Sequence, residues 1–177
     1  MKKDCIIFDI DSTVANITPR LQTAAVLKKK FNVEKHQFLA DPDIMEINDT
    51  VIKGARKFIN NCKKTKPNLQ IIYVSGRWDV TGTYQKNTKK WLLKNNFPVD
   101  GVYIRTRKVK EDPLDFKKRI NKKLNNKYNV LCSIGDDYKT KDSRAAEYIK
   151  VPFISVKVDK WRPKLRNYSE LMKLLKK

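Results

Sequence analysis

Asp9 and Asp11 lie one residue apart in the stretch Phe8-Asp9-Ile10-Asp11-Ser12-Thr13, directly after the apolar run Cys5-Ile6-Ile7. An apolar run of this length reads as a buried strand, and it delivers both carboxylates to its C-terminal end. In an open α/β sheet that end is where ligands bind. Two carboxylates held so close repel each other unless a cation or a shared proton offsets them. The economical reading is a Mg²⁺ site in which one aspartate attacks a phosphorus atom and the other moves a proton.

Three further groups fall where they can join this pair. Ile71-Ile72-Tyr73-Val74 runs into Ser75-Gly76-Arg77. There a hydroxyl and a guanidinium can bind phosphate oxygens and a glycine permits close backbone approach. Residues 130–134 run into Gly135-Asp136-Asp137, with Asp142 beyond, adding carboxylates to the same edge. Between these groups, Lys117 lies three residues before Ile120 and seven before Leu124, which puts it on the buried face of a helix and turns Lys118 away. A lysine on an inner face needs an anionic partner, which the aspartates and a phosphate would supply. Thr13 suits a phosphate contact and equally a turn or N-cap.

To position these groups the chain must alternate strands with helices. Strands are expected at 5–10, 70–75, 101–105, 130–135 and 153–158, and helices near 20–31, 50–63, 83–95, 114–126, 143–149 and 169–175. The rhythm, with strands apolar throughout, implies an α/β fold: a Rossmann-like parallel sheet of about five strands with helices on both faces. No repeat or linker divides the chain, so one domain is expected over 1–177. The interval between the first two strands exceeds an ordinary crossover and has room for a small helical cap at 14–48.

Composition bounds the partners. Of 177 residues, 40 are Lys or Arg and 19 Asp or Glu, a net charge of +21 that attracts polyanions, nucleic acid first. Cys5, Cys62 and Cys132 are scattered and odd in number, which suits buried thiols in a reducing, cytoplasmic compartment rather than bridges or zinc ligands. No segment is apolar enough to span a membrane, and no signal pattern precedes the first strand. His36 is the sole histidine, excluding His-based triads. No P-loop occurs. Trp91 and Leu92 read as core. Trp78, in a loop expected after Arg77, is the better stacking candidate and equally suits a packed loop anchor, and residues 157–166 join a Trp to basic side chains that could track a phosphate backbone or form a basic surface.

The order of these groups resembles that of the haloacid dehalogenase (HAD) superfamily of phosphohydrolases. Asp9, Asp11 and Thr13 match its first motif, Ser75 its second, Lys117 its third, and Asp136-Asp137 with Asp142 its fourth. Within it the chain is most similar to the 3′-phosphatase domain of bacteriophage polynucleotide kinase. The closer likeness is carried by Arg20, Asp49-Thr50-Val51-Ile52, Val74-Ser75-Gly76-Arg77 followed by Thr88-Lys89-Lys90-Trp91, and Tyr103-Ile104-Arg105. Ser12 stands where glycine is usual, and Pro113 where an aspartate is common.

The resemblance implies that Asp9 forms an aspartyl-phosphate and that Asp11 serves as acid and then base. Mg²⁺ would be held by Asp9, the Asp11 backbone carbonyl and Asp136 or Asp137. Ser75, Thr13 and Lys117 would take the transferring oxygens, and Arg20, Gly76, Arg77 and Arg105 would surround the rest of the substrate. The expected function is removal of 3′-phosphates from nucleic-acid ends, with no obligate protein partner. The alternative is a nucleotidase or small-molecule phosphomonoesterase.

Overall fold

The apolar runs form one parallel sheet in the computed structural model, which describes residues 1–31, 48–79, 82–106, 111–136 and 141–156, together with Lys173 and Leu175. In chain order the elements are β1 (Asp4–Phe8), β2 (Ala15–Asn16), α1 (Thr18–Phe31), β3 (Thr50–Val51), α2 (Lys53–Thr65) and β4 (Gln70–Asp79). There follow α3 (Tyr84–Lys94), β5 (Gly101–Thr106), α4 (Pro113–Lys127), β6 (Asn129–Gly135), α5 (Asp142–Tyr148) and β7 (Phe153–Ser155). The main sheet runs β5-β4-β1-β6-β7, with every pairing parallel. From β1 the chain builds outward through β4 and β5, then returns to the other side of β1 for β6 and β7. The reversal at β1 and β6 opens a crevice beyond the C-terminal ends of those strands.

Alternation along β1 divides the core between two faces. Ile6 and Phe8 join one cluster with Phe58, Ile59 and Cys62 of α2 and Tyr84, Trp91 and Leu92 of α3. Cys5 and Ile7 join the other with Phe116, Ile120 and Leu124 of α4. Helices therefore cover both faces, as an all-apolar parallel sheet requires. α4 starts where Asp112 accepts a hydrogen bond from the Leu114 amide at 2.7 Å and Pro113 occupies the first turn. α2 stops at Thr65, two residues before Pro67, whose ring bars the preceding residue from helical geometry. Cys5, Cys62 and Cys132 are buried free thiols.

The elements differ from expectation in two places that bear on the site. β4 does not end at Ser75: after a register shift between Ser75 and Trp78 it pairs again with β5, Trp78 opposite Arg105 and Asp79 opposite Thr106. Trp78 is thus a strand residue, not a loop residue. Thr50 and Val51, expected to open a helix, instead pair with Asn16 and Ala15. The carbonyl of Ile10 accepts from the amides of Thr13, Val14 and Ala15 at 3.2, 2.9 and 3.0 Å, and this tight wrap delivers Ala15–Asn16 to the β-branched pair. Of the expected insertion at 14–48, the structure describes residues 14–31 and Asn48. In α1 the buried residues are Arg20 and Ala24. Asp137, His36 and residues 157–166 lie outside the described residues.

Candidate active site

A cavity of about 460 Å³ opens beyond the strand ends, lined by residues of the aspartate pair and of each of the three further groups singled out with it. Asp9 leaves β1 with its amide bonded to the Ile134 carbonyl of β6 at 2.9 Å, so its position is fixed by sheet pairing. Its carboxylate accepts from Lys117 Nζ at 2.7 Å and from Thr13 Oγ1 at 3.4 Å. Lys117 also donates to Asp142, the first residue of α5. Phe116, Ile120 and Leu124 pack into the core, and the same helical face carries Lys117 inward. Burial opposes the charge on Lys117, but Asp9 and Asp142 outweigh it and hold its pKa above the usual lysine range. For Asp9 burial is the largest influence. Lys117 pulls its pKa down while Asp142 and Asp11 push it up, and it stands at about 7.

Asp11 faces a different set of partners. Arg77 Nε donates to its Oδ1 at 2.7 Å and a terminal nitrogen of the same guanidinium reaches the same oxygen. Arg20 Nη2 donates to it at 3.1 Å. Behind them Asp49, with its side chain fully buried, faces Arg20 Nε at 2.9 Å and Arg77 Nη2 at 2.9 Å. The hydroxyl of Tyr84 lies against Arg20. Burial disfavours the Asp11 carboxylate, yet the Arg77 and Arg20 guanidiniums outweigh it and hold its pKa below the usual carboxylate range. Ser12, next in sequence, has φ 59°, the left-handed region where glycine is at ease.

The carboxylates of Asp9, Asp136 and Asp142 each place an oxygen within 4.8 Å of the other two. Three hard oxygen donors gathered so closely suit a divalent cation of the magnesium or calcium type. A cation there would relieve the repulsion that Lys117 offsets only in part. Asp9 and Asp136 were expected in such a group, while Asp142 joins it from the start of α5.

The other expected residues divide by place. Ser75 is buried, with Oγ accepting from the Arg77 amide at 3.2 Å, and lines the cavity with Gly76. A methyl group on Gly76 would stand 3.1 Å from Pro113 Cβ, so glycine keeps β4 and α4 close at the cavity wall. Arg20 and Arg77 line the cavity but turn their guanidiniums onto Asp11 and Asp49. Arg105 donates to the carbonyls of Gly76 and Glu111 at 3.3 and 2.7 Å. Thr13 is fully buried. Asp49 and Tyr84 were not expected here, because neither follows an expected strand and their roles exist only once Arg20 and Arg77 converge.

A family model described as HAD superfamily, subfamily IIIB (acid phosphatase), matches residues 1–152. The chain belongs to this HAD family. It is a phosphatase by family, and its five-stranded parallel sheet is HAD-like. No curated protein matches it. Among solved structures, this HAD phosphatase is similar to a chain of the Pnkp1/Rnl/Hen1 RNA repair complex at 17% identity and TM-score 0.59, covering 88% of this chain and 42% of that one. It therefore spans less than half of that chain. It is also similar to the HAD-hydrolase YfnB from Bacillus subtilis bound to magnesium, at 12% identity and TM-score 0.59, covering 98% of this chain and 100% of that one. A class C acid phosphatase from Bacillus anthracis with tungstate bound is similar at 18% identity and TM-score 0.57, covering 88% and 66%. At these identities the likenesses show the shared fold. Among the described residues no helix is long and apolar enough to cross a membrane.

Proposed function

We propose that this HAD phosphatase removes 3′-phosphates from nucleic-acid ends with Mg²⁺, through an aspartyl-phosphate on Asp9. The observation that carries the catalytic reading is the Asp9–Lys117–Asp142 chain of contacts beside a separately held Asp11. It gives one carboxylate a cationic neighbour at the cavity floor and keeps the second oriented for proton transfer.

In the first half-reaction an Asp9 oxygen bonds to phosphorus in line. The bond from phosphorus to the leaving oxygen breaks, and Asp11, which first takes up a proton from solvent against the pull of Arg77 and Arg20, passes it to that oxygen. In the second, Asp11 takes a proton from water, the water oxygen attacks phosphorus, and the bond from phosphorus to Asp9 breaks to release inorganic phosphate. Lys117 and the Ser75 hydroxyl bind the equatorial oxygens, whose charge must be matched throughout. Thr13 orients Asp9. Mg²⁺ would be held by Asp9 and Asp136, with Asp142 beside them, and would neutralise charge on the phosphoryl oxygens. Arg20 and Arg77 orient Asp11, and Arg105 lines the cavity.

The polymeric substrate is supported by the net charge of +21. The fold shared with a chain of an RNA repair complex is consistent with it. Residues 14–48 would then form a cap small enough to leave a strand end access.

The test is a panel of 3′-phosphorylated and 5′-phosphorylated oligonucleotides with the 3′-mononucleotide, assayed with Mg²⁺ and with EDTA. The reading expects the 3′-phosphorylated oligonucleotide to have the highest kcat/KM, EDTA to abolish turnover, and Asp9→Asn to be inactive. A mononucleotide hydrolysed faster than the oligonucleotide would favour the nucleotidase reading. Activity persisting in Asp9→Asn would sink the covalent mechanism.

A further inference from the structure

A second concavity lies at the other end of the sheet. It holds about 670 Å³ and is lined by Met1, Lys2, Lys3, Gln70, Lys127 and Tyr128. Lys3 precedes β1, Gln70 opens β4, and Lys127 and Tyr128 close α4. The groove therefore sits at the N-terminal ends of the strands. β1 is five residues long, so at about 3.3 Å per residue roughly 17 Å of sheet separates the groove from Asp9. The catalytic groups have no part in it.

The end of α4 leaves backbone carbonyls here, and their partial negative charge draws lysines on its own. Lys2 is accounted for in that way, since its Nζ donates to the Asn125 carbonyl at 2.9 Å. Lys3 and Lys127 are not. Both are exposed, and among the described residues neither pairs with a carboxylate. Lys127 Nζ rests over the Tyr128 ring, 5.0 Å from its centroid, which keeps that ammonium along the groove wall. Asp4, the acid that follows Lys3, is ion-paired with Lys66 and accepts from Asn129 Nδ2 at 2.7 Å, so its charge is already answered. Among the described lining residues there is no carboxylate. The groove is thus a concave surface whose positive charge exceeds what the fold itself uses.

We infer that this groove is a second nucleic-acid site, remote from the catalytic cavity, where Lys3 and Lys127 seat the phosphate backbone of a single strand. A flat membrane surface cannot enter a concave groove, whereas a flexible strand can follow it phosphate by phosphate. The ammoniums read charge and not sequence, so the site has no base preference. A strand held here keeps its own 3′ end at a raised effective concentration around the cavity, provided that it is long enough to span the two places. That coupling rests on the nucleic-acid reading above, while binding in the groove is measured separately from it.

The experiment follows binding of a single-stranded oligonucleotide ending in a 3′-hydroxyl, by fluorescence anisotropy across a salt series, so that no turnover intervenes. Lys3→Ala combined with Lys127→Ala removes two phosphate contacts. The slope of log affinity against log salt should become shallower by about 1.4, at about 0.7 per contact. Lys2 is left in place because it caps α4. Lys57→Ala combined with Lys64→Ala removes the same charge from exposed positions on α2, which covers the opposite face of the sheet, and should leave the slope unchanged. An unchanged slope in the groove variant overturns the site. So does an equal change in both variants, since the lysines would then act only as a diffuse field. In the wild-type chain, bound strand should protect Lys3 and Lys127 from acetylation and leave Lys57 and Lys64 reactive. That comparison needs no variant, and uniform protection overturns the groove as well. Turnover then separates the two levels of failure. With a long 3′-phosphorylated oligonucleotide, the groove variant should raise KM and leave kcat unchanged, and a 3′-phosphorylated dinucleotide should show neither effect. If the long substrate is hydrolysed with the same KM by the wild-type and groove-variant chains and the salt slope is also unchanged, the nucleic-acid reading survives and the groove is lost. If the strand binds with the expected slope and is not hydrolysed, the groove stands and the substrate reading falls.

Discussion

Lys117 donates to both Asp9 and Asp142 from a buried position, while Lys118, one residue on, is half-buried against the Tyr148 ring. Lys117→Ala should therefore lower kcat by about 10²-fold or more, the usual loss of a preorganised donor to a transferring oxygen. Lys118→Ala should leave kcat within about twofold by the same comparison; steady-state kinetics on the two variants reads the difference. Asp49 makes a second residue-scale prediction. It does not itself line the cavity, yet it faces both guanidiniums that hold Asp11. Asp49→Asn frees Arg20 and Arg77 to shift, and misplacing Asp11 by about 1 Å can cost about 10²-fold. The expected signature is a fall in kcat with KM moving less, together with a lower melting temperature because two buried cations lose a partner. The grouping of Asp9, Asp11, Ser75, Lys117 and Asp136 was legible in the sequence, since each closes or follows an apolar run or sits in phase with a buried helical stripe. The turning of Arg20 and Arg77 onto carboxylates was not. A guanidinium's partner is set by which distant segments converge, and Asp49 and Tyr84 come from segments 28 residues and 7 residues away from Arg77.

Between elements, the tightest joint at the site is that of β6 and α5. A methyl group on Gly135 would stand 2.7 Å from Asp142 Oδ2 and 3.0 Å from its Cβ. The first of these atoms could swing aside, but the second moves only with the helix. Gly135→Ala should therefore displace Asp142 from both Lys117 and the carboxylate group it shares with Asp9 and Asp136. The expected outcome is a Mg²⁺ requirement raised by about 10- to 100-fold, the range found when a metal site's supporting contacts are lost, measured as the metal concentration for half-maximal activity. The strand-helix alternation that builds this joint was readable from apolar runs and helical spacing alone. The exceptions were local. The continuation of β4 past Ser75 depends on β5 offering Arg105 and Thr106 after a register shift. The β2–β3 pair depends on the turn gathered at the Ile10 carbonyl. Neither leaves a periodic trace in so few residues.

For the molecule as a whole, charge is the property that separates a polymer end from a small substrate. Exposed lysines stand on several helices, among them Lys28, Lys29 and Lys30 on α1, Lys89 and Lys90 on α3, and Lys122 and Lys123 on α4. The net charge of +21 leaves this surface strongly positive, a field that raises the local concentration of polyanions. Each phosphate a single strand places on such a surface releases counterions, so the logarithm of affinity falls with the logarithm of salt at about −0.7 per contact. A 3′-phosphorylated oligonucleotide that makes three contacts beyond the scissile phosphate should show an extra slope of about −2 in 1/KM. The 3′-mononucleotide, which reaches only the cavity, should lack that extra slope, and kcat for both should change little. KM for the two substrates across a salt series at fixed Mg²⁺ gives the answer. Parallel slopes would mean that the lysines are a solvated surface and that substrate choice is made inside the cavity alone. Divergent slopes would mean that the helix surfaces hold the strand while the strand ends of the sheet hold its terminal phosphate.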